Sequence, residues 1–432
     1  MHALIVVVLI ALAVVLGLCL PLNRVPLVAL LSAVLIPINN LPLPIAATVL
    51  APGAVCLSFW AIRVRRRPNS REGPQNYSAH MAVLFLVWCF LSTSWSINKL
   101  FSAGWIISIA LSLLWPIIAL RGRPFPAGML AEWWVRLGCG LGLFGIVERM
   151  LGRNPLFATL YSEARFPLTQ TSEFYRITTT LGHPLNNALF FSVAVVLGIG
   201  LAIETSQRRW FIVMAPALAA LWFTGSRSGV VAAAAGVTVM VARRYIFVAA
   251  RGMSSGGRRI VALLIVCVVV VSSLVGFTVL SKDRSYAASA STSERSQVIS
   301  VAISLASEHH FVGAGPDSSN TVLTGTGGSA GQLIVESSYL ELLVSVGIPG
   351  LALFLMLVFI GLKQAWKAQR LIYLGGLLTA AISIGGYNMI EGVRPLIVLV
   401  GLLMCGAVCD RDVDLGKDRR AESADRVCPA FD

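Results

Sequence analysis

The chain has 432 residues, enough for two or three soluble domains, yet 56% of them are hydrophobic and only 12% charged, about half the charged share of a soluble protein. No soluble core hides that much apolar surface, so lipid is the solvent for most of the chain. The net charge of +14, from 34 Lys and Arg against 20 Asp and Glu, then reads as membrane topology and anionic ligands rather than nucleic acid, and no nucleic-acid module, internal repeat or long low-complexity tract is found.

Residues 3–20 form an apolar run without a basic n-region or a small-x-small cleavage site, which predicts a retained helix rather than a signal peptide. Stretches of spanning length, about 20 residues each, follow at 25–38, 41–62, 80–97, 104–120, 128–147, 184–203, 210–223, 228–242, 260–280, 337–362, 371–388 and 392–409. The first two of all these are short and punctuated by Pro21, Pro26 and Pro37. They make either two spans or one span with a re-entrant piece, so the total is 12 or 13. The predicted fold is all-α: a polytopic membrane protein with about 12 transmembrane helices and a long extracytoplasmic loop containing short helices.

Charge orients these spans. One set of alternate connections carries 17 basic residues in short loops, among them Arg63, Arg65, Arg66, Arg67, Arg208, Arg209, Arg243, Arg244, Lys363 and Arg370; the short loops opposite carry only Lys99, Arg227 and Arg394. The richer side is cytoplasmic. The chain divides into N-terminal helices and a first external loop (1–183), helices flanking a polar turn (184–280), an extracytoplasmic loop (281–336), C-terminal helices (337–409) and a cytoplasmic tail (410–432). Within the loop, SERSQVISVAISLA (293–306) puts Val298, Val301, Ala302 and Leu305 on one helical face, predicting a helix lying on the membrane. The GAGPDSSNTVLTGTGGSAGQ text that follows reads as a flexible substrate lid.

Seven of the eight cysteines lie in apolar runs and Cys428 in the tail, with no CxxC pair, so neither a disulfide framework nor structural zinc is expected. A single His183, without a second ligand at useful spacing, and the adjacent pair His309 and His310 also argue against a metal site.

The external side is rich in arginine. Arg227 lies in TGSRSG (224–229), a tight polar turn between two short apolar spans, where it either snorkels to headgroups or faces an anion. Arg295, on the loop helix, reads as a solvated charge when taken alone. Glu336 ends the loop where the next span begins; it either complements a helix dipole or acts as a general base. Glu341, further in, is expensive unless paired or facing a polar cavity. Glu391 and Arg394 flank the hairpin YNMIEGVRP and can pair with each other, as can Glu132 and Arg136 four residues apart.

Four stretches together resemble the superfamily of O-antigen ligases and O-antigen polymerases, bacterial membrane glycosyltransferases: RITTTLGHPLNNALFF, TGSRSG, ERSQVISVAISLASEHHFVGAGPD and VESSYLELLVSVGIPGLALFL. The resemblance runs over 176–350 and implies a polyprenyl-diphosphate-linked glycan donor, a glycan or lipid acceptor, a membrane-lipid setting in the bacterial inner membrane, and neither nucleotide sugar, cofactor nor metal. It also implies that Arg227 and Arg295 hold the donor diphosphate and that Glu391 fills the family's acidic position near the last hairpin; Arg394 is expected to join the diphosphate site, and Arg176 to support the cavity with Glu391. Ligases carry His-Asn at the loop exit where this chain reads Glu336-Ser337, which shifts the expectation toward polymerisation. Glu336 is then the first candidate base and His183 the second, for an inverting transfer. A transporter or flippase of lipid-linked oligosaccharide would also want outward arginines, but the paired repeats common in transporters are absent from the sequence.

Overall fold

A computed structural model describes residues 2–36, 49–66, 77–120, 123–160, 175–249, 298–325, 337–409 and 411–412. Long apolar text with few breakers produces helices almost throughout. They are α1 (His2–Cys19), α2 (Val25–Leu35), α3 (Pro52–Arg66), α4 (Tyr77–Ser92), α5 (Lys99–Ile109), α6 (Trp115–Ala119), α7 (Ala127–Leu151) and α8 (Pro155–Leu160). After them come α9 (Pro184–Thr205), α10 (Arg209–Phe223), α11 (Arg227–Ala249), α12 (Val298–Glu308), α13 (Ser319–Gly325), α14 (Ser338–Lys367), α15 (Leu371–Gly385) and α16 (Ile397–Val408). A π-helical turn, Ala110–Leu114, joins α5 to α6. Two dipeptides, Pro124–Phe125 and Arg411–Asp412, pair in parallel.

Among the described residues, five segments are long and apolar enough to cross a membrane by length and composition: Tyr77–Trp95, Lys99–Ala119, Ala127–Leu151, Pro184–Thr205 and Ser338–Lys367. Several of the other expected spans form shorter apolar helices, such as Arg209–Phe223 and Leu371–Gly385. The expected span at 260–280 and most of the tail lie outside the described residues.

Helix α9 is largely apolar and 78% of its spanning window is buried, because α7, α10, α11 and α15 all pack on it. Small residues let neighbours close in: a Cβ on Gly142 of α7 would stand 2.6 Å from the Pro216 carbonyl oxygen of α10. At the periphery, α4 turns Val83, Leu84, Val87 and Phe90 outward, a row too long and apolar for a water-facing surface. The described cysteines form no disulfide with one another, and Arg136 pairs with Glu132 at 2.9 Å, as their spacing predicts.

Two sequence expectations change. Glu148 and Arg149 stand in the last turn of α7 rather than in a loop. The first part of the expected lid is docked, not free: α14 kinks at Gly347 (φ +70), and the turn 311–316 enters that kink. Ala314 N–H donates to Val344 O at 2.9 Å, Gly315 N–H to Ser345 O at 2.8 Å, and Ile348 N–H to Phe311 O at 2.9 Å. Helix α12 buries Val298, Ala302 and Leu305, the face read from the sequence, against Leu323 and Val344 of the protein itself.

Candidate functional site

Four segments meet through direct contacts. The turn 175–183 lies beside the 224–228 turn, where Arg176 Nε donates to Thr224 O at 2.6 Å and Ile177 N–H to Phe223 O at 3.4 Å. Ser228 of that turn abuts Gly386, at the head of the last hairpin: a Cβ on Gly386 would stand 2.9 Å from the Ser228 Cβ. One residue on, Tyr387 stacks on His183 with ring centroids 6.1 Å apart and an interplanar angle of 10°. The start of α14 closes the set, since Ser338 Oγ donates to Tyr387 O at 2.8 Å and accepts from Met389 N–H at 2.8 Å.

Arg227 is the half-buried first residue of α11. Gly225 supplies the left-handed residue of the turn at φ +62, and Ser226 Oγ accepts from Gly229 N–H at 3.3 Å, a side-chain cap of the kind that contributes about 1 kcal/mol. A cation at a helix N-terminus opposes the macrodipole. The same combination of guanidinium and outward-pointing backbone N–H groups suits an anion.

His183 caps α9: its Nδ1 accepts from Leu185 N–H at 3.2 Å. In a neutral ring that bond assigns the proton to Nε2, so Nε2 is a donor.

Around Glu391 the structure assembles a buried polar cluster that pairwise spacing does not foretell. Glu391 and Arg394 do not pair with each other. Arg394 Nη2 bonds Asp317 Oδ2, while Glu391 accepts from Ser319 Oγ at 2.5 Å and from Asp317 N–H at 3.3 Å. The reason is steric order: the docked turn 313–318 brings Asp317 between the two. Glu341 is fully buried beneath them; the Glu391 backbone amide approaches its carboxylate without reaching hydrogen-bond geometry. Burial, helped by the neighbouring Asp317 charge, pushes the Glu391 carboxyl up to about 8. Burial also raises Asp317, to about 6, with Arg394 pulling in the opposite direction.

Of the residues singled out from the sequence, Arg176 touches the turn that holds Arg227, His183 touches Tyr387 of the last hairpin, and Glu391 and Arg394 of that hairpin share Asp317. Arg295 and Glu336 lie outside the described residues. Asp317 and Tyr387 were missed; the two glycines before Asp317 in GAGPD suit a free loop and a close approach alike. No grouping of three His, Cys, Asp or Glu among the described residues could hold a metal ion.

Comparison with protein families adds the deciding observation: residues 210–355 match the O-antigen ligase family model. That stretch, about a third of the chain, is similar to the O-antigen ligase family. The matched stretch runs from α10 into α14 and includes the Arg227 turn, the docked 311–319 turn and Glu341. No curated protein matches the chain.

Proposed function

We propose that the protein is a membrane glycosyltransferase that transfers or polymerises a glycan from a polyprenyl-diphosphate donor at the outer face of the bacterial cytoplasmic membrane. The observation that carries this reading is Arg227 at the first position of α11, where a guanidinium beside the first-turn backbone N–H groups suits an anion. The family match and the apolar helices supply the setting.

In this scheme an acceptor hydroxyl attacks the anomeric carbon of the donor. The new C–O bond forms as the bond to the diphosphate breaks, and the electron pair leaves with the diphosphate oxygen. Arg227, Arg295 and Arg394 hold the diphosphate and stabilise its growing charge; Arg394 Nη1 is buried and has no hydrogen-bond partner among the described residues. Removing one preorganised donor of this kind typically costs on the order of 10²–10³ in rate. Glu336 takes the acceptor proton. His183, the second candidate, has its Nδ1 engaged in the α9 cap and contributes a hydrogen bond from Nε2 instead. Attack opposite the leaving group inverts the anomeric carbon. Glu391 and Arg176 support the cavity, and guanidinium groups provide the charge stabilisation without a metal.

Purified protein with a synthetic polyprenyl-diphosphate oligosaccharide tests the reading on a gel. A ladder of products means polymerisation, and one discrete shift on an added acceptor means ligation. Protein that moves the donor lipid between leaflets but never extends or transfers the glycan would overturn the proposal in favour of transport.

A further inference from the structure

Arg176 and His183 sit at either end of a turn whose polar groups converge on one carboxylate. Glu148 is fully buried in the last turn of α7, where the helix dipole opposes an anion and an unpaired carboxylate is strongly disfavoured. It is nonetheless fully satisfied. Its Oε1 accepts from Tyr175 Oη at 2.5 Å, Thr178 N–H at 2.7 Å and Thr178 Oγ1 at 2.8 Å, and its Oε2 accepts from Thr179 N–H at 2.8 Å. Burial first, and the Glu148 hydrogen bond second, push the Tyr175 hydroxyl up, so it remains a donor.

Two asparagines complete the frame. Asn154 Nδ2 donates to Thr178 Oγ1 and to Thr179 O, each at 2.8 Å. Asn187 Nδ2 donates to Thr178 O at 2.6 Å and to His183 O at 3.0 Å, while its Oδ1 accepts from Thr179 Oγ1 at 2.5 Å. Held from both sides, Thr179 adopts φ +40. A β-branched residue in the left-handed region is a strained outlier, and such strain persists only where the surroundings over-determine it. The turn sets where Arg176 meets the 224–228 turn and where His183 meets Tyr387.

We propose that Glu148 is a positioning residue, which holds Thr178 and Thr179 in this strained turn and so fixes Arg176 and His183 relative to the Arg227 turn. Its consequence for turnover rests on the function proposed above; its consequence for the turn does not.

The test combines amide hydrogen exchange over 175–187 with steady-state transfer, using full-length protein in lipid nanodiscs. Glu148→Gln keeps the shape, but turns an amide NH2 toward an N–H or hydroxyl donor. Exchange of the turn amides should rise by about tenfold or more, with Glu148→Asp intermediate. The kcat should fall on the order of 10²-fold, as for a misplaced catalytic group, while donor KM stays within about threefold. Unchanged exchange in Glu148→Gln, or a loosened turn with unchanged kcat, would overturn the proposal. Should Glu148→Gln fail to fold, Asn154→Ala gives the same readouts, because it removes two bonds from the turn and leaves the buried carboxylate satisfied. A wild-type protein that transfers no glycan would count against the proposed function, and the exchange comparison would still decide the role of Glu148.

Discussion

Asp317 shows how a single buried residue redirects local pairing. From spacing alone, Glu391 and Arg394 are partners; with the 313–318 turn docked, Arg394 is taken by Asp317 and Glu391 by Ser319. Removing one member of a buried ion pair strands the other, so Asp317→Ala should destabilise the protein by about 3–5 kcal/mol, read as a lower unfolding temperature in detergent. An unchanged unfolding temperature would mean that the pair is not buried in the protein. The same cluster gives stability a pH dependence. The Glu391 carboxyl is raised from 4.5 to about 8 by burial, so between those values the folded chain holds a proton that the unfolded chain has released. Stability therefore falls as pH rises through that window. An unfolding temperature that drops from about pH 5 to about pH 8, with the slope reduced in Glu391→Gln, is the expected result; a rise over that range would contradict it. Arg227 was legible as a residue because TGSRSG is an unusual polar turn between apolar spans. Glu148 was not, since a carboxylate at the end of an apolar run looks like the start of a loop, and only the fold brings Thr178 and Thr179 back to it.

At the scale of elements, what the sequence makes plain is whatever period and length alone determine. The buried face of α12 was readable from Val298, Ala302 and Leu305, and the apolar stretches became helices because lipid leaves backbone polar groups no other partner. The docking of 311–319 was not readable. Its glycines signal permissive backbone equally for a free loop and for a close approach. The structure shows close approach: Gly315 has φ +107, and a Cβ there would stand 2.3 Å from Ser96 Cβ. Gly315→Ala should therefore push the turn away from Ser96 and loosen the docked segment that brings Asp317 to Arg394, lowering stability by about 1–3 kcal/mol. Protease cleavage of the turn, scored against wild type, checks this; equal resistance would show that the turn tolerates the side chain.

For the whole molecule, composition announced a lipid-solvated bundle, and the outward apolar row of α4 together with the deeply buried α9 is the packing that follows from it. Sidedness rests on the arrangement of arginines and lysines. Single cysteines placed in 281–336 of an otherwise cysteine-free variant should react with a membrane-impermeant maleimide in intact cells. Labelling only after lysis would put that loop in the cytoplasm and remove the proposed site from the outer face. The central claim, however, is chemical: a guanidinium on the α11 N-terminus stabilises a departing diphosphate. The most direct measurement is the single-turnover transfer rate from a synthetic polyprenyl-diphosphate glycan for purified wild type and Arg227→Ala, both reconstituted and correctly folded. The account predicts a loss on the order of 10²–10³-fold in the variant; transfer at the wild-type rate would contradict it.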